Sequence, residues 1–290
     1  MNKGGYKWIV PAMILLIAVG LIPFIIALTY SFKAVSYTDS TAKGQFILWD
    51  NYRRLMHDPD FFNSLKVQAK YMIPALFLQT GLGLAVALIL APAARRRRLV
   101  IPILLLPTLT PPVVIGLIGL LSLNPDFGII GIYLHRWGLV KEAMLGSAKW
   151  ALPAIILVDT WQWMPFMASI LLSGLLSLPK EPYEAAQVDG ANAWQIFRRV
   201  TLPLLRPYFT VAILIRAIDA FAITDIIAVM TRGGPGTVTE AISMYAYRLN
   251  FRYWHLGYGA ATVMIIYMMI EVVIDLLNKV LTRKAAPGGA

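Results

Sequence analysis

The chain has no cysteine and only three histidines. Disulfides, thiol nucleophiles and thiolate metal sites are therefore excluded. His57, His135 and His255 lie far apart and show no metal-ligand spacing. Charge is scarce as well. Only 14% of the 290 residues are Asp, Glu, Lys or Arg, against about 25% in a soluble domain. Hydrophobic residues reach 58%, where about 45–50% is usual, which argues against a cytosolic enzyme. Nucleotide chemistry is also missing. No G-x-x-x-x-G-K-[ST] occurs, and Gly233-Gly234-Pro235-Gly236 lacks the lysine and hydroxyl that would hold phosphate and Mg²⁺. Neither H-E-x-x-H nor G-x-S-x-G is present, so a hydrolase is unsupported. The chain offers no cofactor site of its own. Active transport would draw its energy from a partner or from an ion gradient.

What the sequence does have is long apolar runs. A hydrocarbon core about 30 Å thick needs roughly 20 helical residues to cross it. Six stretches qualify, at about 8–32, 67–92, 99–123, 150–175, 207–230 and 256–281. The expectation is an all-α integral membrane protein, with residues 1–290 forming a single transmembrane domain in the lipid bilayer. The first run follows Lys3 and Lys7, is longer than a signal-peptide core and lacks an A-x-A-like cleavage site, so it reads as an uncleaved span. The formal net charge is +11. Lys3 and Lys7, Arg95 to Arg98, Lys180, Arg198, Arg199, Arg206, Arg283 and Lys284 fall on one side of the spans. The alternate loops mix their cations with Asp39, Asp50, Asp58, Asp60, Asp126 and Glu142. The positive-inside rule then puts both termini in the cytoplasm. The arginine run, wedged between two spans, reads as an orientation signal, with no nucleic-acid partner expected.

The loop of about 178–206 is the most informative segment. Pro182 suits the first turn of a helix, where its missing N–H costs nothing. Glu181 and Glu184 lie at the positive end of that helix dipole. Gly190 can end the helix in a left-handed turn. A second short helix is expected to about Val200, stopped by Pro203. Taken alone, this pair of surface helices is a solvated connector or a docking element with a low alanine surface.

Glu184-Ala185-Ala186, then Asp189-Gly190-Ala191, then Leu202-Pro203 twelve residues past Gly190, closely resembles the EAA loop of ABC importer permeases. Thr231-Arg232-Gly233-Gly234-Pro235, with Thr239 beyond, resembles the T-x-G-G-P segment of the carbohydrate uptake subfamily, the group that includes maltose and glycerol-phosphate importers. Asn51-Tyr52 and Phe127-Gly128-Ile129 also look like that subfamily. The resemblance covers about Pro11 to Lys284. It implies a type I importer permease fold with six transmembrane helices, in the cytoplasmic (inner) membrane of a bacterium or archaeon. It further implies a second six-span permease, two ATPase subunits that use ATP and Mg²⁺, and an extracytoplasmic solute-binding protein. The loop would be the coupling helix, with Glu184, Ala185, Ala186, Asp189, Gly190 and Ala191 docking on one ATPase.

Charges inside a span are costly and mark functional sites by default. The fourth span holds Asp159 and the fifth holds Arg216, Asp219 and Asp225. Asp159, Gln162 and Phe166 recur on one helical face with Trp163 beside them, and Arg216, Asp219 and Ile223 do the same on the next span. Hydroxyls need hydrogen bonds and the C–H face of a sugar packs on an aromatic ring, so this set suits a carbohydrate. Counting from the shared motifs, the family's sugar site would fall on Asp159, Gln162, Trp163, Phe166, Arg216, Asp219, Ala220 and Ile223. Three readings stay open here: a neutral-sugar site, an anionic ligand held by Arg216, or an internal pair of Arg216 with Asp219 or Asp159. Glu271 and Asp275 lie one turn apart in the sixth span, and ion coupling through Asp219 or Glu271 leaves a secondary carrier as an alternative, alongside an importer of a non-sugar solute. Pro107, Pro111 and Pro112 are expected to kink or unwind the third span. The pairs Gly81/Gly83 and Gly257/Gly259 are candidate sites of close helix contact.

Overall fold

The computed structural model describes residues 6–38, 41–94, 99–140 and 142–282, and they are mostly helical. The Arg95–Arg98 run, Lys3, Asp39, Arg283 and Lys284 lie outside the described residues, as does the side chain of Lys7. In chain order come α1 (Tyr6–Ser31), a small hairpin of β1 (Lys33–Val35) and β2 (Lys43–Phe46), α2 (Asp50–Leu55) and α3 (Pro59–Ala94). Then follow α4 (Val100–Leu104), α5 (Leu106–Leu109), α6 (Pro112–Ser122), α7 (Ile129–Arg136) and α8 (Ala151–Ser177). The remainder is α9 (Glu181–Val188), α10 (Ala193–Ile196), α11 (Leu202–Ala220), α12 (Thr224–Met230), α13 (Ile242–Tyr247) and α14 (Leu256–Thr282).

Among the described residues, five helices are long and apolar enough to cross a bilayer: α1, α3, α8, the stretch Ala193–Ala220 and α14. The expected third span at about 99–123 takes a different form. Leu105 separates α4 from α5, and Thr110 and Pro111 are extended (ψ 133° and 137°) between α5 and α6. Pro107, Pro111 and Pro112 supply no amide donors, and a residue before proline is pushed out of the helical region. Of the kink or unwinding expected there, the structure shows the unwinding.

The expected stop at Pro203 is not found. A π turn, Phe197–Thr201, joins α10 to α11, and the helix runs on through Pro203 and Pro207. The wide turn takes up the missing proline amide, so the break falls at Phe221–Ile223 instead, ahead of α12.

The chain forms two compact units. One holds residues up to Asn63 with Ile242–Met269, and the other holds Ser64–Ala241 with the end of α14. In the first, Asn51 Nδ2 donates to the carbonyls of Ser31 (2.9 Å) and Lys33 (3.0 Å), tying α2 to the hairpin. The Asp58 carboxylate accepts from the hydroxyls of Tyr245 and Tyr258, each at 2.7 Å. Gly257 lies against the backbone of Tyr30, Lys33 and Val35, and Gly259 against Asn250 in the π turn Arg248–Arg252, so this pair does allow close approach, to the hairpin and to that turn.

In the second unit, α8 is the packing centre, with Ala154, Ile155, Met167, Ala168, Leu171 and Leu172 buried along it. α3 reaches it at Gly83, where an added Cβ would stand 2.8 Å from that of Met167; Gly81 faces open space. α11 reaches it at Gly174, whose missing side chain makes the socket for the Tyr208 ring. The T-x-G-G-P segment is a tight turn: Thr239 Oγ1 bonds to Thr231 Oγ1 (2.8 Å) and donates to the Gly234 carbonyl (2.9 Å).

Candidate functional site

Arg216 is the largest fully buried side chain among the described residues, at 1% exposure. Its Nε donates to Gln79 Oε1 (2.9 Å), and Nη1 to Asp219 Oδ2 (3.0 Å). Its Nη2 donates to Asp159 Oδ2 (2.6 Å) and to the Tyr71 hydroxyl (2.9 Å). The Tyr71 hydroxyl and Gln79 Nε2 donate in turn to the same Asp159 oxygen, at 2.9 and 2.7 Å. The guanidinium carbon lies 4.9 Å from the Trp163 ring centre. A guanidinium has five N–H donors, and four of them are engaged. This closure is what makes a charge tolerable at such depth, since an unpaired ion there would be shed or neutralised.

α8 supplies Asp159 and Trp163 one helical turn apart, α11 supplies Arg216 and Asp219, and α3 supplies Tyr71 and Gln79. Both internal pairs considered for Arg216 exist, to Asp159 and to Asp219. The other expected site residues divide. Ile223 joins Asp159, Trp163, Arg216 and Asp219 in lining a cleft, with Tyr71, Ala222 and Asp225 also on its wall. Phe166 meets Trp163 edge-on, 5.8 Å between ring centres. Ala220 is buried, and its carbonyl accepts from Gln68 Nε2 (3.1 Å). Gln162 turns to the broken stretch: its side-chain amide donates to the Thr110 carbonyl (3.0 Å), while Thr108 Oγ1 donates to the Gln162 backbone carbonyl (2.8 Å).

Gln68, Tyr71 and Gln79 are the members that sequence reasoning missed. Their spacing of three and eleven puts them on one helical face, a signal that was readable but carried by uncharged groups. Glu271 and Asp275 are exposed on α14, and Asp275 makes no ion pair with Lys279 among the described residues. The cleft holds only about 30 Å³, the room of a water molecule and far below a sugar ring. A larger cavity of about 470 Å³ between α6, α7 and α8 is lined by groups such as Ile115, Leu134, Met144 and Trp161 and carries no charged residue.

The EAA-like loop forms the second candidate element. Pro182 sits in the first turn of α9, and Glu181 and Glu184 lie in that same turn, at the positive end of the helix dipole. Gly190 has φ +74°, its amide bonds the Gln187 carbonyl (3.0 Å), and the Ala191 amide bonds the Ala186 carbonyl (2.9 Å). These two bonds make a Schellman ending, which closes the helix without side-chain help. Asn192 and Gln195 then cap α10 reciprocally, at 2.8 and 2.9 Å. Glu184, Ala185, Asp189 and Gly190 are exposed, Ala186 and Ala191 are half-buried, and Val188 is 88% exposed.

A helical membrane protein with an internally paired charge cluster among its spans and a solvent-facing double turn has the makings of a transporter subunit. Residues 79–287 match the family of binding-protein-dependent transport system inner membrane components, and the chain belongs to that family. It is 34% identical over 273 residues to the trehalose/maltose transport system permease protein of Thermococcus litoralis, covering 93% of this chain and 90% of that one. It is 33% identical over 278 residues to the sulfoquinovosyl glycerol transport system permease protein of Agrobacterium fabrum, covering 94% and 89%. Its fold matches a chain of a bacterial alginate ABC transporter, solved in complex with an alginate pentasaccharide-bound periplasmic protein. The TM-score is 0.81 at 24% identity, with 98% and 96% of the two chains covered. The family is that of the permease, as distinct from the ATP-hydrolysing subunit, and it is a multi-pass membrane component.

Proposed function

We propose that this chain is one permease of an ATP-driven, binding-protein-dependent importer for a sugar or sugar derivative. The exposed α9 turn carries the reading, because it presents Glu184, Ala185, Asp189 and Gly190 to solvent on a backbone that needs no partner to hold its shape. The sugar assignment draws on relatives that are permeases for trehalose/maltose and for sulfoquinovosyl glycerol. In this reading residues 1–290 act as one transmembrane domain in a cytoplasmic membrane, with both termini inside. The broken stretch of α4, α5 and α6 makes the sixth crossing, its freed backbone groups met by neighbours such as Gln162.

A second six-span permease completes the pore. Two ATPase subunits bind ATP and Mg²⁺, so this chain holds no nucleotide. A solute-bound protein delivers cargo from outside, as the periplasmic partner of the alginate transporter supports. The α9 turn seats in one ATPase and passes its closure to the spans. The solute site is the set Asp159, Gln162, Trp163, Phe166, Arg216, Asp219, Ala220 and Ile223, narrowed in this conformation and widened during the cycle.

The test is a mild-detergent pull-down of the tagged chain with mass spectrometry, followed by ATPase assay of the recovered complex. Stoichiometric recovery of a P-loop ATPase and a second permease is expected. Glu184→Lys is expected to leave the complex assembled and to abolish solute-stimulated ATPase activity. Recovery of the chain without an ATPase would overturn the importer reading and favour an ion-coupled carrier.

A further inference from the structure

The cavity between α6, α7 and α8 shares no residue with the cleft at Arg216. It holds about 470 Å³, and its polar side-chain groups are the Ser122 hydroxyl and the Trp161 indole N–H alone. Leu157 and Trp161 on its α8 wall are exposed, so the cavity is open at its side. A second cavity, of about 430 Å³, is lined by Gly138, Leu139, Glu142, Ser147, Lys149 and Trp150. The two adjoin. Leu134, Met144 and Ala154 face the first, and backbone hydrogen bonds join them to Leu139 (3.1 Å), Ser147 (3.3 Å) and Trp150 (2.9 Å) of the second. On each of three segments, one turn of chain separates an apolar chamber from a polar one.

The polar chamber holds separated charges. Among the described residues Lys149 is its one cation and Glu142 its one anion, and neither makes a hydrogen bond or an ion pair. Lys149 Nζ lies 5.1 Å from the Trp150 ring centre. Opposite charges that face one space without meeting suit a ligand that carries both signs. The apolar chamber has the depth of one leaflet. From Trp150 at its mouth to Trp161 the α8 wall runs eleven residues, about 16 Å at the helical rise, or half of a hydrocarbon core of about 30 Å. Trp150 and the exposed Trp137 stand at the polar end, as aromatic rings do at a membrane–water boundary.

We propose that the two chambers form one lipid site, for a phospholipid whose headgroup carries a primary ammonium, as phosphatidylethanolamine does. An acyl chain fills the space between α6, α7 and α8. The phosphate meets Lys149, and the ammonium donates to the Glu142 carboxylate. Each charge then gains a charge-assisted bond that the fold does not give it. A choline headgroup reaches Lys149 equally well but has no N–H for Glu142. A glycerol headgroup brings the phosphate and leaves Glu142 without a counter-charge. A helix of another subunit would cover the apolar chamber, but it brings no joined phosphate and ammonium to the mouth. The proposal needs only that the chain lies in a membrane, and it is independent of the importer reading.

The test uses the complex that purifies with the tagged chain, placed in phosphatidylcholine nanodiscs with a trace of phosphatidylethanolamine bearing a diazirine in its acyl chain. Light expels N₂, the carbene inserts into a neighbouring C–H or O–H bond, and mass spectrometry maps the modified residues. Helix α1, apolar and exposed along its length, reports ordinary lipid contact. Labelling is expected to concentrate on the walls of the α6–α7–α8 cavity. Unlabelled phosphatidylethanolamine should suppress it about fivefold more strongly than phosphatidylcholine or phosphatidylglycerol, the scale of one hydrogen bond to a charged group. Glu142→Gln should remove most of that preference, and Lys149→Gln should weaken all three lipids. Ser122→Trp, which fills the apolar chamber, should abolish the cavity labelling.

Labelling no denser on the cavity than on α1 would overturn the proposal. So would equal competition by the three lipids, or a preference untouched by Glu142→Gln, an exposed position whose change spares the core. A cavity shielded in the complex but labelled in the isolated chain would assign it to a subunit contact and overturn the lipid site. A complex without an ATPase would sink the importer and leave every one of these outcomes readable.

Discussion

Asp159 and Asp58 each gather several donors on one carboxylate oxygen, one tyrosine hydroxyl for Asp159 and two for Asp58, yet only Asp159 also takes a guanidinium. Asp159 is 2% exposed and lies deep in α8, where its Oδ2 accepts from Tyr71, Gln79 and Arg216. Asp58 precedes α3 at the edge of the span. Its Oδ2 accepts from Tyr245 and Tyr258, and its Oδ1 from the amides of Asp60 (2.8 Å) and Phe61 (3.4 Å). Burial pushes the Asp58 carboxyl up, but these hydrogen bonds outweigh it and hold the group below the usual carboxylate range. Burial and the bonds to Tyr258 and Asp58 push the Tyr245 hydroxyl well up, so it stays a donor. The difference teaches that dipoles suffice for a carboxylate where water remains within reach. Where water is gone, a full counter-charge and a matched donor for it are needed as well.

Breaking the deep cluster should have the largest effect. Arg216→Ala leaves Asp159 ionised and unpaired, at a cost of about 3–5 kcal/mol, read as loss of thermal stability in detergent. The charge-free pair Arg216→Met with Asp159→Leu should recover most of it. A single Arg216→Ala that unfolds like the parent would show that Tyr71 and Gln79 alone satisfy Asp159, and the contrast with Asp58 would vanish. Next comes Tyr71→Phe, which removes a hydroxyl that accepts from Arg216 and donates to Asp159, worth about 1–3 kcal/mol. Tyr258→Phe should cost clearly less, because Asp58 can turn to water; equal costs would erase the distinction.

Asp58→Asn sharpens the comparison by pH. A carboxyl held below its unfolded value stabilises the fold above that value, about 3.9, and loses the contribution as pH falls through the lower folded value. The stability gap between parent and Asp58→Asn should thus be constant near neutrality and shrink below about pH 4. A gap that widens on acidification would mean that the hydroxyls favour the protonated acid. The smallest effect belongs to Asp60→Ala. Its 3.3 Å pair with Arg248 has Asp60 57% exposed, and such pairs are worth about 0–1 kcal/mol.

The sequence was most legible where structure is decided locally. Pro182 and Gly190 set the ends of α9 by their own backbone limits, and both ends fall as expected. The apolar runs likewise marked the five long helices, since bilayer thickness is a composition rule. Legibility failed where one local preference was offset by another. Pro203 should stop a helix, but the π turn just before it removes the need for the missing amide. Charge drew attention to Asp159, Arg216 and Asp219, while the uncharged groups that saturate them, Tyr71 and Gln79, lie more than 75 residues away in sequence. Gln162 shared a helical face with Asp159 and still went elsewhere, because the break at Thr110 opened a carbonyl that only the tertiary fold reveals.

The π turn between α10 and α11 has a mechanical meaning. Ala193–Ala220 is one unbroken rod of 28 residues, about 42 Å long at the rise of an α-helix. Trp194 stands at one end, next to the α9 turn, and Asp219 at the other, on the wall of the cleft. A tilt of about 10° at the Trp194 end would swing the end that carries Arg216 and Asp219 by about 7 Å, more than the 2.6 Å bond from Arg216 to Asp159 on α8 can follow. Had Pro203 stopped the helix, the same tilt would have died in a loose joint. The wide turn thus converts a proline that should have been a hinge into a lever arm.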